Sequence, residues 1–263
     1  MARSALLNVM VQAATKAGRS LTRDFGEVEQ LQVSVKGPGD FVSAADTKAE
    51  EIIVESLQKS RPDWGFLLEE GGEIKGSDPL HRWIVDPLDG TTNFLHSLPI
   101  FAVSIGLERQ GQMVAGVIYN PITEELFTAE KGSGAFMNDR RMRVAARRKL
   151  ADAALCTAIP HIGSKTLGRY LEEAKIACAN AAAVRGLGSA AVSLAYVAAG
   201  RLDGYWEHNL KPWDMAAGIV LIREAGGFLS DISGGDRMIE TGGIIAGNET
   251  MREAIRKNII ERP

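Results

Sequence analysis

Cysteine is scarce in this 263-residue chain, which contains only Cys156 and Cys178. Two cysteines without a metal-ligand spacing exclude a disulfide framework and a cysteine-based zinc site, and they predict free thiols in a reducing compartment. The chain lacks any run close to the ~20 apolar residues that span a bilayer. Its formal net charge of -3 provides no overall basic field for nucleic acid or an anionic membrane surface. We therefore expect a cytoplasmic protein that binds an anionic ligand only together with a cation.

The apolar residues near the N-terminus predict an amphipathic first helix rather than a secretory signal. Asn8 and Gln12 interrupt the apolar run, and the apolar positions recur at helical spacing. Those positions are Leu6, Val9, Met10, Ala13, Ala17 and Leu21.

The chain is 45% hydrophobic and 24% charged, which is typical of a globular protein. The pattern of predicted helices and strands changes between its two halves. The first half predicts a hairpin around Lys36-Gly37-Pro38-Gly39, a helix from about Thr47 to Ser60, and an antiparallel meander between Phe101 and Val144. The second half alternates short strands with helices. We expect an α+β fold of alternating layers, an αβαβα sandwich, with an antiparallel sheet from the N-terminal half and a mixed sheet from the C-terminal half. The halves, 1–150 and 151–263, would share one site without a linker between them.

The segment Trp83–Phe94 carries the clearest chemical pattern. It places Asp86 and Asp89 three residues apart at the end of a predicted buried strand, directly before a predicted helix. Pro87 restricts the backbone so that both carboxylates and the Leu88 carbonyl can converge on a hard cation. The backbone amides of the next three residues, Gly90, Thr91 and Thr92, would face an anion at the helix start.

Asp86 and Asp89 could instead merely cap a turn and a helix, which is the better interpretation of such a motif standing alone. Other acids, however, also stand at the ends of predicted elements: Asp46, Glu69, Glu70 and Asp214. Because like charges held close together repel, a gathering of unpaired acids indicates a cation.

Two segments resemble the signatures of the inositol monophosphatase family, within the lithium-sensitive, magnesium-dependent phosphatases. The first is Trp83–Phe94, and the second is Trp213–Gly218, continued by Ile222–Gly227. The resemblance covers nearly the whole chain. It implies a phosphomonoesterase that hydrolyses myo-inositol monophosphate to myo-inositol and phosphate with metal-activated water. It also implies two to three Mg²⁺ per site, competition by Li⁺ and a homodimer.

The same resemblance implies residue roles. The implied metal ligands are Glu69, Asp86, the Leu88 carbonyl, Asp89 and Asp214. The implied catalytic group consists of Glu69, Thr91, Asp46 and Lys36, in which Asp46 and Thr91 position the water with Glu69. The implied substrate-binding residues are Glu69, Leu88, Asp89, Gly90, Thr91, Thr92, Gly188, Ser189, Ala190, Glu207 and Asp214. Gly188, Ser189, Ala190 and Glu207 would face the polyol.

Two alternatives remain open from the sequence. A sister phosphatase on the same scaffold would prefer histidinol phosphate, a nucleotide 3'-phosphate or a sugar bisphosphate. A bacterial relative joins the transcription machinery, so a binding module that contacts RNA polymerase or nucleic acid is the second alternative. Its only sequence support is the basic stretch between Arg140 and Lys149, which is more typical of a solvated edge.

Overall fold

The computed structural model of the chain describes residues 3–27, 33–37, 40–161 and 164–261. Its helices are α1 (Ala5–Phe25), α2 (Ala44–Ser60), α3 (Thr91–Leu95), α4 (Leu167–Asn180), α5 (Ala190–Ala198), α6 (Pro212–Glu224), α7 (Met238–Thr241) and α8 (Glu249–Ile255). Its strands are β1 (Val33–Gly37), β2 (Asp40–Ser43), β3 (Trp64–Leu68), β4 (Gly72–Ile74), β5 (Asp78–Asp89), β6 (Ala102–Arg109), β7 (Gln112–Asn120), β8 (Glu125–Glu130), β9 (Gly134–Met137), β10 (Arg140–Arg141), β11 (Ala154–Thr157), β12 (Ala183–Arg185), β13 (Gly204–Glu207), β14 (Phe228–Ser230) and β15 (Ile244–Gly247).

The larger sheet follows the order β10-β9-β8-β7-β6-β5-β3-β4. All its pairs are antiparallel except β3 with β5, which run parallel. The predicted antiparallel sheet is thus confirmed apart from this one pair. The cause of the parallel pairing of β3 with β5 is the short strand β4, which was not predicted. Because β4 runs back along β3, the chain enters β5 from the beginning of β3. The carboxyl ends of β3 and β5 therefore meet at one edge of the sheet.

The smaller sheet follows the order β12-β11-β13-β15-β14. In it, β11 is parallel to β12 and β13, whereas β15 is antiparallel to β13 and β14. This is the mixed sheet predicted for the C-terminal half.

Helical layers separate and cover the sheets. On the outer face of the larger sheet, α1 and α2 bury apolar residues such as Met10 and Ile53. Between the sheets, α5 and α6 form a core with residues of both, for example Leu194 and Ile219. On the far face of the smaller sheet, α4 and α8 pack around Trp206. The predicted αβαβα order of layers is confirmed.

The amphipathic first helix is also confirmed as α1. Ser4 caps its start, since the Ser4 hydroxyl accepts a hydrogen bond from the Leu7 N–H at 3.0 Å. Leu7, Met10 and Ala13 lie buried against the sheet. In the part of the chain that the structure describes, no helix is both long and apolar enough to cross a membrane.

Two glycines set how closely α6 approaches the larger sheet. A Cβ at Gly106 in β6 would lie 2.6 Å from the Ala216 Cβ, and one at Gly116 in β7 would lie 2.6 Å from the Ala217 carbonyl oxygen. Both distances are shorter than any real contact of this kind, so only glycine permits this packing. The close approach places the first turn of α6, which carries Asp214, over the end of β5.

We expect Gly116→Ala to move α6 away from the sheet, because backbone atoms of Ala217 cannot yield as a flexible side chain would. The free energy of unfolding should fall by about 1–3 kcal/mol, as in other overpacked cores. Urea denaturation measures this change. The control is Gly168→Ala in α4, where the added Cβ meets no atom within 4 Å. Unchanged stability of Gly116→Ala would contradict the close packing.

Candidate active site

Acidic residues from separate elements converge at the edge where β3 and β5 end. Glu69 follows β3, and its N–H donates to the Val85 carbonyl at 3.2 Å, which places it beside Asp86 in β5. Carboxylate oxygens of Asp86, Asp89 and Asp214 all lie within 4.8 Å of one another. Asp214 comes from α6, so this cluster joins residues on both sides of position 150.

Burial and mutual repulsion both oppose ionisation of this cluster. Asp86 is 2% exposed, and burial raises its pKa well above the usual value, with further increases from the charges of Glu69, Asp89 and Asp214. Burial also raises the pKa of Asp214 well above its usual range, followed by the charge of Asp89. Glu69 additionally shares a side-chain hydrogen bond with Asp86. These carboxyl groups cannot all ionise together without a nearby positive charge.

The donor set fits a hard divalent cation. The converging side chains of Asp86, Asp89 and Asp214 offer only carboxylate oxygens, the ligands that Mg²⁺, Ca²⁺ and Mn²⁺ prefer. Each additional positive charge would relieve the repulsion that raises their pKa values. The acidic cluster is therefore suited to bind metal.

Local backbone geometry holds Asp86 and Asp89 in place. The ladder between β5 and β6 is irregular between these two residues, and the Leu88 N–H donates to Asp86 Oδ1 at 3.0 Å. Gly90 then adopts φ 99°, and a Cβ there would come within 3.0 Å of the Ile100 carbonyl oxygen. A residue with a side chain would be strained at this position, so the turn requires glycine.

Asp46 and Thr91, predicted to act as a pair, do lie together. The Thr91 Oγ1 is 3.0 Å from Asp46 Oδ1 and 3.1 Å from the Leu88 carbonyl oxygen, and its single proton can go to either acceptor. Asp46 also forms a capping box with Ser43, which starts α2 at Ala44 rather than at the predicted Thr47. Burial raises the pKa of Asp46, against the opposing hydrogen bonds from Ser43 and Thr91. Lys36 lies in β1, and its side chain is outside the described residues.

The start of α5 meets Asp89 directly. Ser189 caps α5 and donates from its hydroxyl to Asp89 Oδ2, which also accepts from the Ala191 N–H at 2.7 Å. Burial raises the pKa of Asp89, while the donors at the helix start act in the opposite direction. Gly188 precedes the cap at φ 72°. Ser189, expected on the polyol side, thus contacts a metal-ligand candidate.

A cavity of about 580 Å³ opens over the cluster. The predicted residues among its lining are Asp89, Thr92, Gly188, Ser189, Ala190, Glu207 and Asp214. The others predicted for substrate, Glu69, Leu88, Gly90 and Thr91, are described residues outside that lining and join the site through the contacts above. The structure therefore brings together every predicted site residue whose side chain it describes.

Glu207 lies in the wall of this cavity at the end of β13. The pKa of Glu207 is raised to about 8, mainly by burial and also by the Asp89 charge, against the opposing effect of a hydrogen bond donated by the Tyr205 hydroxyl. A partly desolvated carboxylate of this kind interacts strongly with hydroxyl donors.

Several residues that support the site were not predicted. Asn93 Nδ2 donates to the carbonyl oxygens of Ile100 at 2.7 Å and Leu187 at 2.8 Å, which ties the α3 segment to the loop before α5. Glu50 Oε2 accepts from the Glu70 N–H at 3.0 Å and so holds the turn after β3. Asn93 lies within the first signature segment, but its partners are distant in sequence, so only the fold reveals them.

The chain is similar to known proteins over nearly its whole length. The model of the inositol monophosphatase family matches residues 2–262. A relative named inositol-1-monophosphatase from Mesorhizobium japonicum is 63% identical, covering 98% of this chain and 97% of its own length. The Escherichia coli relative named Nus factor SuhB is 42% identical, covering 97% and 95%. A crystal structure of extragenic suppressor protein suhB from Bartonella henselae has a TM-score of 0.97 and 60% identity, covering 99% of this chain and all of that chain.

Asp86→Asn is expected to stabilise the metal-free protein. The amide keeps an acceptor for the Leu88 N–H but cannot ionise. Because the folded pKa of Asp86 is raised, the folded protein retains a proton that the unfolded chain loses above about pH 4, so wild-type stability falls as the pH rises towards that raised pKa. In EDTA at pH 8 the variant should have the higher Tm, by about 2–4 °C for each kcal/mol by which its free energy of unfolding exceeds that of wild type.

Thermal scans in EDTA between pH 4 and pH 8 check this expectation, with Asp152→Asn as an exposed control. The Tm difference should shrink towards pH 4, and added MgCl₂ should raise the Tm of wild type more than that of Asp86→Asn. A variant less stable than wild type at pH 8 in EDTA would contradict the repulsion argument.

Proposed function

We propose that this chain, which belongs to the inositol monophosphatase family, hydrolyses myo-inositol monophosphate to myo-inositol and phosphate with Mg²⁺ as cofactor. The family and the close relatives named inositol-1-monophosphatase make the chain a phosphatase. The observation that carries the substrate proposal is that one cavity is lined both by two acids of the cluster, Asp89 and Asp214, and by Glu207. A phosphate at the cluster would place the hydroxyls of its ester within reach of that carboxylate.

Mg²⁺ is the cation that this proposal assigns, with two to three ions per site. Glu69, Asp86, Asp89, Asp214 and the Leu88 carbonyl would hold them, since all offer hard oxygen ligands. Bound cations would supply positive charge for the transferred phosphoryl group and lower the pKa of water beside it.

The residues of this chain would orient the attacking water. If Thr91 donates its hydrogen bond to Asp46, its oxygen keeps lone pairs that accept a hydrogen bond from water. Glu69, on the same sheet edge, would accept a second. Such orientation converts a bimolecular attack into a positioned one.

Glu207 would select the ester. The vicinal hydroxyls of a polyol donate hydrogen bonds to a carboxylate, and a substrate without hydroxyls would leave this partly buried group with only its bond from Tyr205. Gly188, Ser189 and Ala190 would complete the same wall, because they line the cavity at the start of α5.

A homodimer and a cytoplasmic location complete this proposal. Large apolar side chains that such a dimer could bury are Leu98, Ile159 and Leu171, which are 50%, 66% and 56% exposed.

A transcription-related binding function is a second candidate, supported by 42% identity to the relative named Nus factor SuhB. Part of the basic stretch has a structural use. Arg147 Nε pairs at 2.7 Å with Asp203, whose side chain is fully buried. A test of RNA polymerase binding should therefore reverse the charges of the exposed Arg140 and Arg148 and leave Arg147 in place.

The substrate proposal predicts a clear order of activities. Phosphate release is measured from inositol 1-phosphate, histidinol phosphate, 3'-phosphoadenosine 5'-phosphate and fructose 1,6-bisphosphate. We expect inositol 1-phosphate to have the highest kcat/KM, and both EDTA and Asp89→Asn to lower turnover at least about 1,000-fold. Asp152→Asn is the control. A higher kcat/KM for another ester would show that the proposed substrate is wrong. The absence of hydrolysis of every ester with Mg²⁺ present would overturn the proposed enzymatic function.

Glu207→Gln should remove selectivity rather than hydrolysis. At about pH 9 the wild-type carboxyl group, whose pKa is about 8, is mostly ionised, whereas the amide still accepts from the Tyr205 hydroxyl but lacks the charge that favours hydroxyl donors. We expect kcat/KM for inositol 1-phosphate to fall about 10-fold to 100-fold relative to 4-nitrophenyl phosphate, which has no vicinal hydroxyls. An equal loss for both esters would contradict the role of Glu207 in polyol binding.

A further inference from the structure

A second buried acid, Glu173, lies outside the acidic cluster and lines the same cavity as Glu207. Glu173 belongs to α4 and is only 5% exposed. Its Oε2 accepts a hydrogen bond from Trp206 Nε1 at 2.9 Å, and its Oε1 accepts one from His208 Nε2 at 2.9 Å. Both oxygens of Glu173 are thus engaged by the two residues that flank Glu207 along the chain.

The alternation of a β-strand explains this arrangement. Successive side chains point to opposite faces, so Tyr205 and Glu207 share one face of β13, where the Tyr205 hydroxyl donates to Glu207. Trp206 faces the other way, into the core that the smaller sheet forms with α4 and α8. Glu207 is therefore held from its own face by Tyr205, and its strand is anchored from the opposite face by Glu173.

The hydrogen bond between His208 and Glu173 lies where the chain leaves strand β13. The ladder between β13 and β15 ends with the pair Glu207 and Ile244, so His208 is the first residue beyond the sheet hydrogen bonds. Its side chain is 14% exposed and borders the cavity. The bond to Glu173 restrains the chain where β13 leaves the sheet and continues towards α6 and Asp214.

Burying a carboxylate is unfavourable unless donors compensate for its lost water. An apolar residue at position 173 would pack between α4 and β13 without that cost. The two bonds of Glu173 give directional restraint to Trp206 and His208, which apolar packing does not provide.

We propose that Glu173 is a positioning residue for substrate selection. By fixing Trp206 and His208, it holds the Glu207 carboxylate at the distance from the acidic cluster where the hydroxyls of a polyol phosphate meet it. The inference rests on the proposed function, because only a hydroxyl-bearing substrate would use Glu207.

Glu173→Gln tests this role. The amide oxygen can still accept from Trp206 Nε1, but its NH₂ then faces His208 Nε2, so the bond that the imidazole donates to a carboxylate is lost. We expect the ratio of kcat/KM for inositol 1-phosphate to that for 4-nitrophenyl phosphate to fall about tenfold, mainly through KM. Glu172→Gln is the matched control, since Glu172 is the adjacent acid on α4 and is exposed. It should keep the wild-type ratio.

A double-mutant cycle separates positioning from general structural damage. If Glu173 acts through Glu207, the ratio for Glu173→Gln combined with Glu207→Gln should match that of Glu207→Gln alone within about twofold. Independent structural damage would lower the rates for both esters and add to the effect of Glu207→Gln. His208→Leu removes only the more exposed donor and should lower the ratio in the same direction, which decides the matter if Glu173→Gln does not fold.

The outcomes distinguish the two proposals. If wild type hydrolyses no polyol phosphate, or if Glu207→Gln leaves the ratio unchanged, the proposed function is wrong and the positioning role falls with it. If Glu207→Gln lowers the ratio while Glu173→Gln and His208→Leu leave it at the wild-type value, the proposed function stands and the positioning role of Glu173 is overturned.

Discussion

The burial and mutual repulsion of clustered carboxyl groups are the constraint on which this structure depends. Asp86 is almost fully buried, and the charged groups that raise its pKa are the acids Glu69, Asp89 and Asp214. Such an arrangement opposes folding unless the acids stay protonated or a cation neutralises them. Stability is thus lower at the place where a divalent cation would bind, as at many active sites. The same clustered carboxyl groups would bind the cation and destabilise the metal-free protein.

Contacts between elements that are separated in sequence bring these acids together. The short strand β4 makes β3 and β5 parallel, which sets Glu69 beside Asp86. Gly106 and Gly116 let α6 lie close to the larger sheet, which brings Asp214 over the end of β5. The start of α5 then supplies donors to Asp89. Each contact joins elements that are far apart in sequence, so the site forms only when both sheets and the helices between them are packed.

Local patterns were enough to predict the parts of this site but not all of their relations. Asp86 and Asp89 could be predicted because the strand end, Pro87 and Gly90 form one short motif, and the helical and strand periodicities gave the correct order of layers. The parallel pairing of β3 with β5 has no local signal, because it follows from a three-residue strand, Gly72–Ile74, that is exposed throughout. Glu50, Asn93 and Glu173 were missed since their partners lie 7 to 94 residues away. The roles of individual residues in binding metal and substrate remain proposals.

Anomalous diffraction from crystals grown with Mn²⁺ tests the central claim most directly. Mn²⁺ prefers the same oxygen ligands as Mg²⁺ and scatters strongly enough to be located. The account predicts at least one anomalous peak at about 2.2 Å from carboxylate oxygens of Asp86, Asp89 and Asp214, with all three groups turned towards it. Well-ordered carboxyl groups that remain hydrogen-bonded to one another, with no peak between them, would contradict it.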